Sequence, residues 1–336
     1  MPTVRSRLLL VTTISILGLL AASHDADARR RRGGGHAKVG KRGRRGPAPI
    51  APLTKDGFPN IQAAAAVVID LDTGEEVYAK NPDALRPIAS VGKLFAALAV
   101  RHVGIQLDAI TTITSEDRKI ASGGARSRLF EGKGFTNHDL LRAMLIASDN
   151  RAVPAVGRGA GLAPAQLIAG MNDAARRLGL TKTKFTDPTG LNGNVSTPRE
   201  IAIALRAALE DPVLAPILSS HEADVASATD PRYQVHYNNT NVSLRTSRHT
   251  VIGGKTGYTD EARYCLAIAA TIANRRFAMV FLGAEGELTR FADFGRTADW
   301  LLAANGRPKS APHARTPGLG AAIDPPAASV TARIAR

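Results

Sequence analysis

Residues 250–283 read TVIGGKTGYTDEARYCLAIAATIANRRFAMVFLG. Three short β-branched or apolar runs stand in it: Val251 to Gly257, Cys265 to Ile272 and Phe277 to Gly283. Only turn-length breaks separate them, and that spacing predicts an antiparallel meander. Towards the N-terminus, Ala63 to Asp70 is another β-run. Leu71-Asp72-Thr73-Gly74 turns it, and Glu75 to Lys80 returns as a partner strand. Helical signals fill the interval. Ile88 to Val100 is apolar without an internal proline, and Pro87 precedes it. Thr136-Asn137-His138-Asp139 matches a capping box opening a helix through Ala147. Thr197, Pro198 and Glu200 open another. Leu288 to Ala304, holding Phe291, Phe294, Trp300 and Leu301, closes the pattern as a helix. Strands at both ends with helices between them predict an α+β domain over residues 61–306: an antiparallel sheet with helices on its faces.

The rest of the chain carries the charge. Over 336 residues the formal net charge is +15, which on its face suggests nucleic acid or another anionic partner. Yet residues 47–306 hold 28 basic and 26 acidic residues, so the expected domain is nearly neutral. Residues 29–46 hold nine basic residues and no acid. No aromatic residue stands among them to stack on a base, so nucleic acid is not the expected partner. Residues 29–60 read as a basic, disordered Gly/Arg/Pro arm and 307–336 as a disordered Pro/Ala-rich tail. Ahead of the arm, Arg5 and Arg7, the apolar run Leu8 to Ala22 and the Ala26-Asp27-Ala28 triplet read as a signal peptide, residues 1–28. The run spans about 22 Å as a helix against about 30 Å of hydrocarbon, which favours a cleaved signal over a retained anchor. The arginines just beyond the cleavage point oppose translocation. One cysteine, Cys265, excludes an intramolecular disulfide framework and reads as a small buried hydrophobe.

Three short motifs occur in order: Ser90-Val91-Gly92-Lys93, Ser148-Asp149-Asn150 and Lys255-Thr256-Gly257. Ser-x-x-Lys alone is weak, but the full set arises by chance in roughly one chain in a thousand of this composition. Ser90 and Lys93 stand three apart at the start of the apolar helix, so their side chains share a face. The helix N-terminus favours negative charge developing on the serine oxygen. A serine is a weak nucleophile until a base takes its proton. Lys93 acts as that base only when neutral, which requires its pKa to fall by about 3 units. Burial and a second cation supply such a shift, and Lys255 is the expected cation. Ser148 is placed to relay a proton to a leaving nitrogen, and Asn150 to hydrogen-bond an amide. The eight histidines show neither metal-ligand spacing nor a partner Gly-x-Ser-x-Gly, so no metal or other cofactor is expected.

The motif set resembles that of the low-molecular-mass penicillin-binding proteins, the serine D-alanyl-D-alanine carboxypeptidase/endopeptidase family (peptidase S11). Around it the likeness extends over about residues 60–305. It takes in Pro87-Ile88-Ala89, Arg151-Ala152, Asp187-Pro188-Thr189-Gly190-Leu191, Asn194-Val195-Ser196-Thr197 and Gly253 to Thr259. The resemblance implies a β-lactamase/transpeptidase-like fold with a helical subdomain. It implies a penicillin-sensitive serine DD-peptidase acting on peptidoglycan peptides in the periplasm or cell envelope. By the same resemblance Ser90 is the nucleophile, Lys93 the base and Ser148 the relay. Lys255 and Thr256 meet a substrate carboxylate, and the Ser90 and Tyr258 amides form the oxyanion hole, with Gly257 beside them in the binding strand. β-Lactams are the expected inhibitors, and residues 29–46 are a candidate attachment to an anionic envelope polymer.

About 50 residues follow the Lys-Thr-Gly strand before the tail, so the resemblance is nearest to the short endopeptidase type. Two positions depart from the family. Arg263 stands where relatives carry Gly, and Glu285 where longer carboxypeptidases place a carboxylate-binding Arg. The rivals are a class A-like β-lactamase and a catalytically silent cell-wall binder. The first needs a deacylating glutamate, and the segment Asp187 to Asn192 offers none. The intact Ser90, Lys93 and Lys255 oppose the second.

Overall fold

The computed structural model describes residues 50–308, so the signal peptide, most of the basic arm and almost all of the tail lie outside the described residues. Its longer elements run β1 (Ala65–Asp70), β2 (Glu76–Lys80), α1 (Lys93–His102), α2 (Asn137–Ile146), α3 (Ala152–Gly159), α4 (Pro164–Arg177) and α5 (Pro198–Glu210). A two-stranded hairpin follows, β3 (Glu222–Ala226) and β4 (Gln234–Asn238). Then come β5 (Thr250–Thr259), β6 (Arg263–Ile272), β7 (Arg275–Ala284) and α6 (Thr289–Ala303).

The meander forms as the sequence predicts, and β1 pairs antiparallel with β7, Ala65 opposite Leu282 and Asp70 opposite Phe277. The resulting sheet has the order β2-β1-β7-β6-β5, which leaves β5 on an edge. Alternate residues serve opposite faces, as the period of two requires. Val67, Ile69, Ala267, Ala269, Val280 and Leu282 join the larger core, built with helices α1 to α5. Val68, Leu266, Ile268, Phe277, Met279 and Phe281 join a second core, closed by Phe294, Ala298 and Leu301 of α6. Both faces being covered, the central strands read as nearly unbroken apolar runs rather than as alternation. Each fully buried Phe or Leu contributes about 1.5–3 kcal/mol.

Local departures from the expectation have identifiable causes. Residues 50–60, assigned to the arm, are folded. Leu53 bridges Pro59, and the Asn60 amide donates to the Pro52 carbonyl at 3.0 Å. The Phe58 ring lies 6.5 Å from Tyr78 and 6.2 Å from Trp300, an apolar contact that ties this stretch to the second core. Thr197 caps α5 by accepting from the Glu200 amide. The Glu200 carboxylate does not reach back; it accepts instead from the Lys182 amide at 2.9 Å and the Thr183 hydroxyl at 2.5 Å. Among the described residues, no helix is long and apolar enough to cross a membrane.

Candidate active site

The stretch expected as one helix from Ile88 is two elements: a 3₁₀ turn, Ala89–Gly92, running into α1 at Lys93. Ala89 takes the left-handed region at φ 48°, a conformation that costs an L-residue about 1–2 kcal/mol. Two glycines make the turn possible. A Cβ on Gly190 would lie 2.4 Å from the Ala89 carbonyl oxygen, and one on Gly257 would lie 3.0 Å from the Ser90 nitrogen. The Asp187-to-Leu191 loop and the Lys-Thr-Gly strand therefore press from two sides on the backbone that presents Ser90.

Lys93 is fully buried at the head of α1. Its Nζ lies 2.9 Å from Ser90 Oγ, 2.8 Å from the Ser148 carbonyl, 3.1 Å from Ser148 Oγ and 2.5 Å from Asn150 Oδ1. The Ser148 carbonyl and Asn150 Oδ1 are acceptors only. Two amine protons satisfy them, and a neutral Lys93 then has its lone pair left for a serine hydroxyl to donate to. Burial brings the Lys93 ammonium down to about 7, while Asp149 and Asp187 pull the other way. The expected help from Lys255 falls on the other partner. Lys255, equally buried, is driven well below its usual value by burial first, then by Lys93 and Arg290. Two ammonium groups in one dry site disfavour each other's charge.

Ser148 ends the segment after α2 in the left-handed region, φ 61°, which turns the chain so that Asn150 follows into the same site. Asp149 between them faces away. Its carboxylate accepts from Ser127 Oγ (2.9 Å), the Arg128 amide (3.4 Å), the Arg151 amide (3.0 Å) and Tyr237 Oη (3.0 Å). The middle residue of the tripeptide thus anchors the motif to the loop before α2 and to β4.

On the strand side, the Lys255 ammonium donates to the Thr256 carbonyl at 3.0 Å. Thr256 Oγ1 meets Thr240 Oγ1 at 2.7 Å. Tyr258 is 44% exposed, its ring stacked 4.3 Å from Tyr264. Behind this strand lies Arg290 of α6, which donates to the Gly257 carbonyl at 3.0 Å. The structure thus brings Ser90, Lys93, Ser148 and Asn150 into one hydrogen-bonded cluster, with Lys255 to Tyr258 along its flank. Asp149, Thr240 and Arg290 were not singled out from sequence. Asp149 lay inside a motif that was read only at its ends. Arg290 had a signal, since it falls on the helix face of Phe294, Thr297 and Leu301, a charged residue among core positions.

The two departures from the family pattern meet each other. Arg263 keeps the turn after the third motif by adopting φ 56°, and its Nε lies 3.7 Å from Glu285. Asp187 closes its own loop, accepting from Thr189 Oγ1 (2.8 Å) and from the amides of Gly190 (2.6 Å) and Leu191 (2.7 Å).

Comparison with known proteins shows the family and the fold. The family model of the D-alanyl-D-alanine carboxypeptidases, peptidase S11, matches residues 53–286. A D-alanyl-D-alanine endopeptidase of Pseudomonas aeruginosa is 34% identical over 259 residues, 75% of this chain and 82% of that one. One of Escherichia coli is 31% identical over 255 residues, 76% and 82% of the two chains. Among solved structures, a D-alanyl-D-alanine carboxypeptidase from Mycobacterium tuberculosis superposes with a TM-score of 0.68 at 27% identity, covering 81% of this chain and 99% of its own. The Streptomyces K15 DD-transpeptidase gives a TM-score of 0.67 at 27% identity, with 73% and 98% covered.

Proposed function

The chain belongs to the D-alanyl-D-alanine carboxypeptidase family, peptidase S11, and from that premise we propose how its residues divide the work. It is a serine DD-peptidase of β-lactamase/transpeptidase-like fold, a hydrolase acting on peptidoglycan stem peptides. Ser90 Oγ attacks the D-alanyl carbonyl carbon while its proton passes to the neutral Lys93 amine. The oxyanion is held by the Ser90 and Tyr258 amides. Ser148 passes a proton to the leaving nitrogen, the C–N bond breaks, and a Ser90 ester remains for water to cleave. Asn150 holds the substrate's amide, Lys255 and Thr256 its carboxylate, and Gly257 lets the substrate strand lie close. β-Lactams acylate Ser90 by the same first step.

The observation that carries this reading is the fully buried Lys93 Nζ, 2.9 Å from Ser90 Oγ and brought down to about 7. A deacylating carboxylate of β-lactamase type has no counterpart in the Asp187 loop, where that carboxylate is occupied by Thr189 and two amides. Incubation with labelled benzylpenicillin tests the reading. Wild type forms a stable adduct and Ser90→Ala forms none; an unlabelled wild type, or a labelled Ser90→Ala, overturns it.

Cross-link cleavage is the finer activity we propose. Glu285 stands where longer relatives carry a carboxylate-binding Arg, so that anchor for a terminal carboxylate is missing, and relatives at 31% and 34% identity are named endopeptidases. Purified cross-linked muropeptides should be cut faster than a free pentapeptide, and the reverse order would assign a carboxypeptidase. Export to the periplasm or cell envelope is proposed from residues 1–28. Attachment to an anionic envelope polymer is proposed from the nine basic residues of 29–46. Deleting 29–46 should weaken low-salt sacculus binding and spare turnover of soluble peptide; unchanged binding would make the segment a linker.

A further inference from the structure

Arg290 is an anomaly of this fold. Its guanidinium is buried at 6% exposure, with no carboxylate in ion-pair reach among the described residues and its Nε without a hydrogen-bond partner. Glu287 acts on it electrostatically from beyond that reach, and a buried cation so weakly compensated is costly to keep. Nη1 donates to two carbonyls of adjacent strands, Gly257 at 3.0 Å and Cys265 at 3.4 Å. The guanidinium carbon also lies 5.0 Å from the Tyr264 ring centroid and 4.9 Å from that of Phe291, and Tyr264 in turn packs on Tyr258 at 4.3 Å. One side chain therefore grips both the backbone and the ring support of the Gly257-Tyr258 pair.

The peptide unit itself carries the consequence. The Gly257 C=O and the Tyr258 N–H belong to one planar trans amide and point in opposite directions. Gly257 is paired with Cys265 of β6, and among the described residues no strand lies beyond β5. Holding the carbonyl inward, towards β6, turns the Tyr258 N–H outward to the free edge. The serine turn packs over the face of the strand at this point, the Ser90 nitrogen lying 3.0 Å from where a Gly257 Cβ would stand. A charged donor on the carbonyl also polarises the amide, which strengthens its N–H as a donor.

We infer that Arg290 is a positioning residue for the oxyanion hole, fixing and polarising the Gly257–Tyr258 amide from behind the sheet. The inference rests on the Tyr258 amide being an oxyanion donor, as proposed above. A guanidinium that only filled space at the sheet end would affect folding and leave the acylation step alone.

The test separates encounter from acylation by following benzylpenicillin labelling over a concentration series. In Arg290→Met, the acylation rate constant falls by about 10–100-fold, less than the loss of a whole oxyanion donor. The encounter constant stays within about 2-fold, and the end-point stoichiometry of labelling equals wild type. Affinity for a peptide boronic acid, whose tetrahedral oxygen enters the hole, drops in parallel with the rate. Arg290→Lys, which keeps the charge and one donor, regains part of both. An Arg290→Met protein acylated at the wild-type rate overturns the inference. So does a loss confined to stoichiometry or to the encounter constant. If Arg290→Met does not accumulate folded, Arg290→Gln and Arg290→Lys are read on the same two constants. Wild type that takes no penicillin label would instead refute the serine-peptidase reading, a separate outcome from any Arg290 result.

Discussion

The two flanks of the site are built on different plans. On the helical flank, four oxygens surround the Lys93 amine within 3.1 Å, and the motif's own Asp149 is tied down by four donors. On the strand flank, the Lys255 ammonium has the Thr256 carbonyl at 3.0 Å, and the supporting cation, Arg290, stands behind the sheet. In the proposed mechanism the first flank moves a proton between fixed groups, and the second keeps Lys255 and amide donors for the negative charge that a substrate brings. Both lysines are buried and both lose basicity, yet their partners assign them opposite tasks.

Substitutions that exchange the two plans should separate them. Lys93→Met removes the base and should cut the acylation rate by about 10²–10⁴-fold, with penicillin labelling as the readout. A loss under tenfold would mean that another group takes the Ser90 proton. Asp149→Ala leaves four donors without their acceptor and should lower unfolding free energy by about 2–4 kcal/mol. Denaturant melts check this, and a neutral result would deny the clamp. Lys255→Met should reduce kcat/KM for a carboxylate-bearing peptide by about 10–100-fold, the worth of one charged hydrogen bond. A matched amide lacking that carboxylate should lose much less, and equal losses would erase the distinction between flanks. The smallest effect is expected at the turn joining β5 to β6. Arg263→Gly relieves a left-handed residue at φ 56° and gives up an exposed ion pair, for a gain of about 0.5–1 kcal/mol by thermal melting. Destabilisation instead would mean that the Glu285 contact outweighs the strain.

Much of this was legible in the residues. The meander from Val251 to Gly283 and the β1–β2 hairpin declare themselves, because runs buried on two faces leave little polar interruption. The cluster of Ser90, Lys93, Ser148 and Asn150 was legible as two motifs, since each needs a fixed residue type at a fixed position. What stayed hidden depends on tertiary approach. The break between the serine turn and α1 follows from Gly190 and Gly257 closing on Ala89 and Ser90, a contact between segments about 100 and 170 residues away. The folding of residues 50–60 depends on Phe58 finding Tyr78 and Trp300. The role of Glu200 as a partner of Lys182 and Thr183 could not be told from the capping box it mimics. Nor did sequence show which lysine would bear the mutual repulsion.

The shift of Lys93 also fixes a sign for stability. The unfolded chain keeps its proton up to about the usual 10.5, while the folded chain sheds it near 7. Between those values the unfolded state binds more protons, so this group makes stability rise with pH across that window. Below about 7 both states are protonated and the full cost of the buried ammonium is borne.

The central claim, that a buried neutral Lys93 takes the Ser90 proton, is tested most directly by the pH dependence of benzylpenicillin acylation. The acting form is the free amine, so the rate constant should climb tenfold per pH unit at low pH, bend near 7 and stay level above it. In Lys93→Met the residual rate should lose that bend. A wild-type profile that is flat across pH 5 to 9, roughly two units either side of the expected bend, would contradict the account.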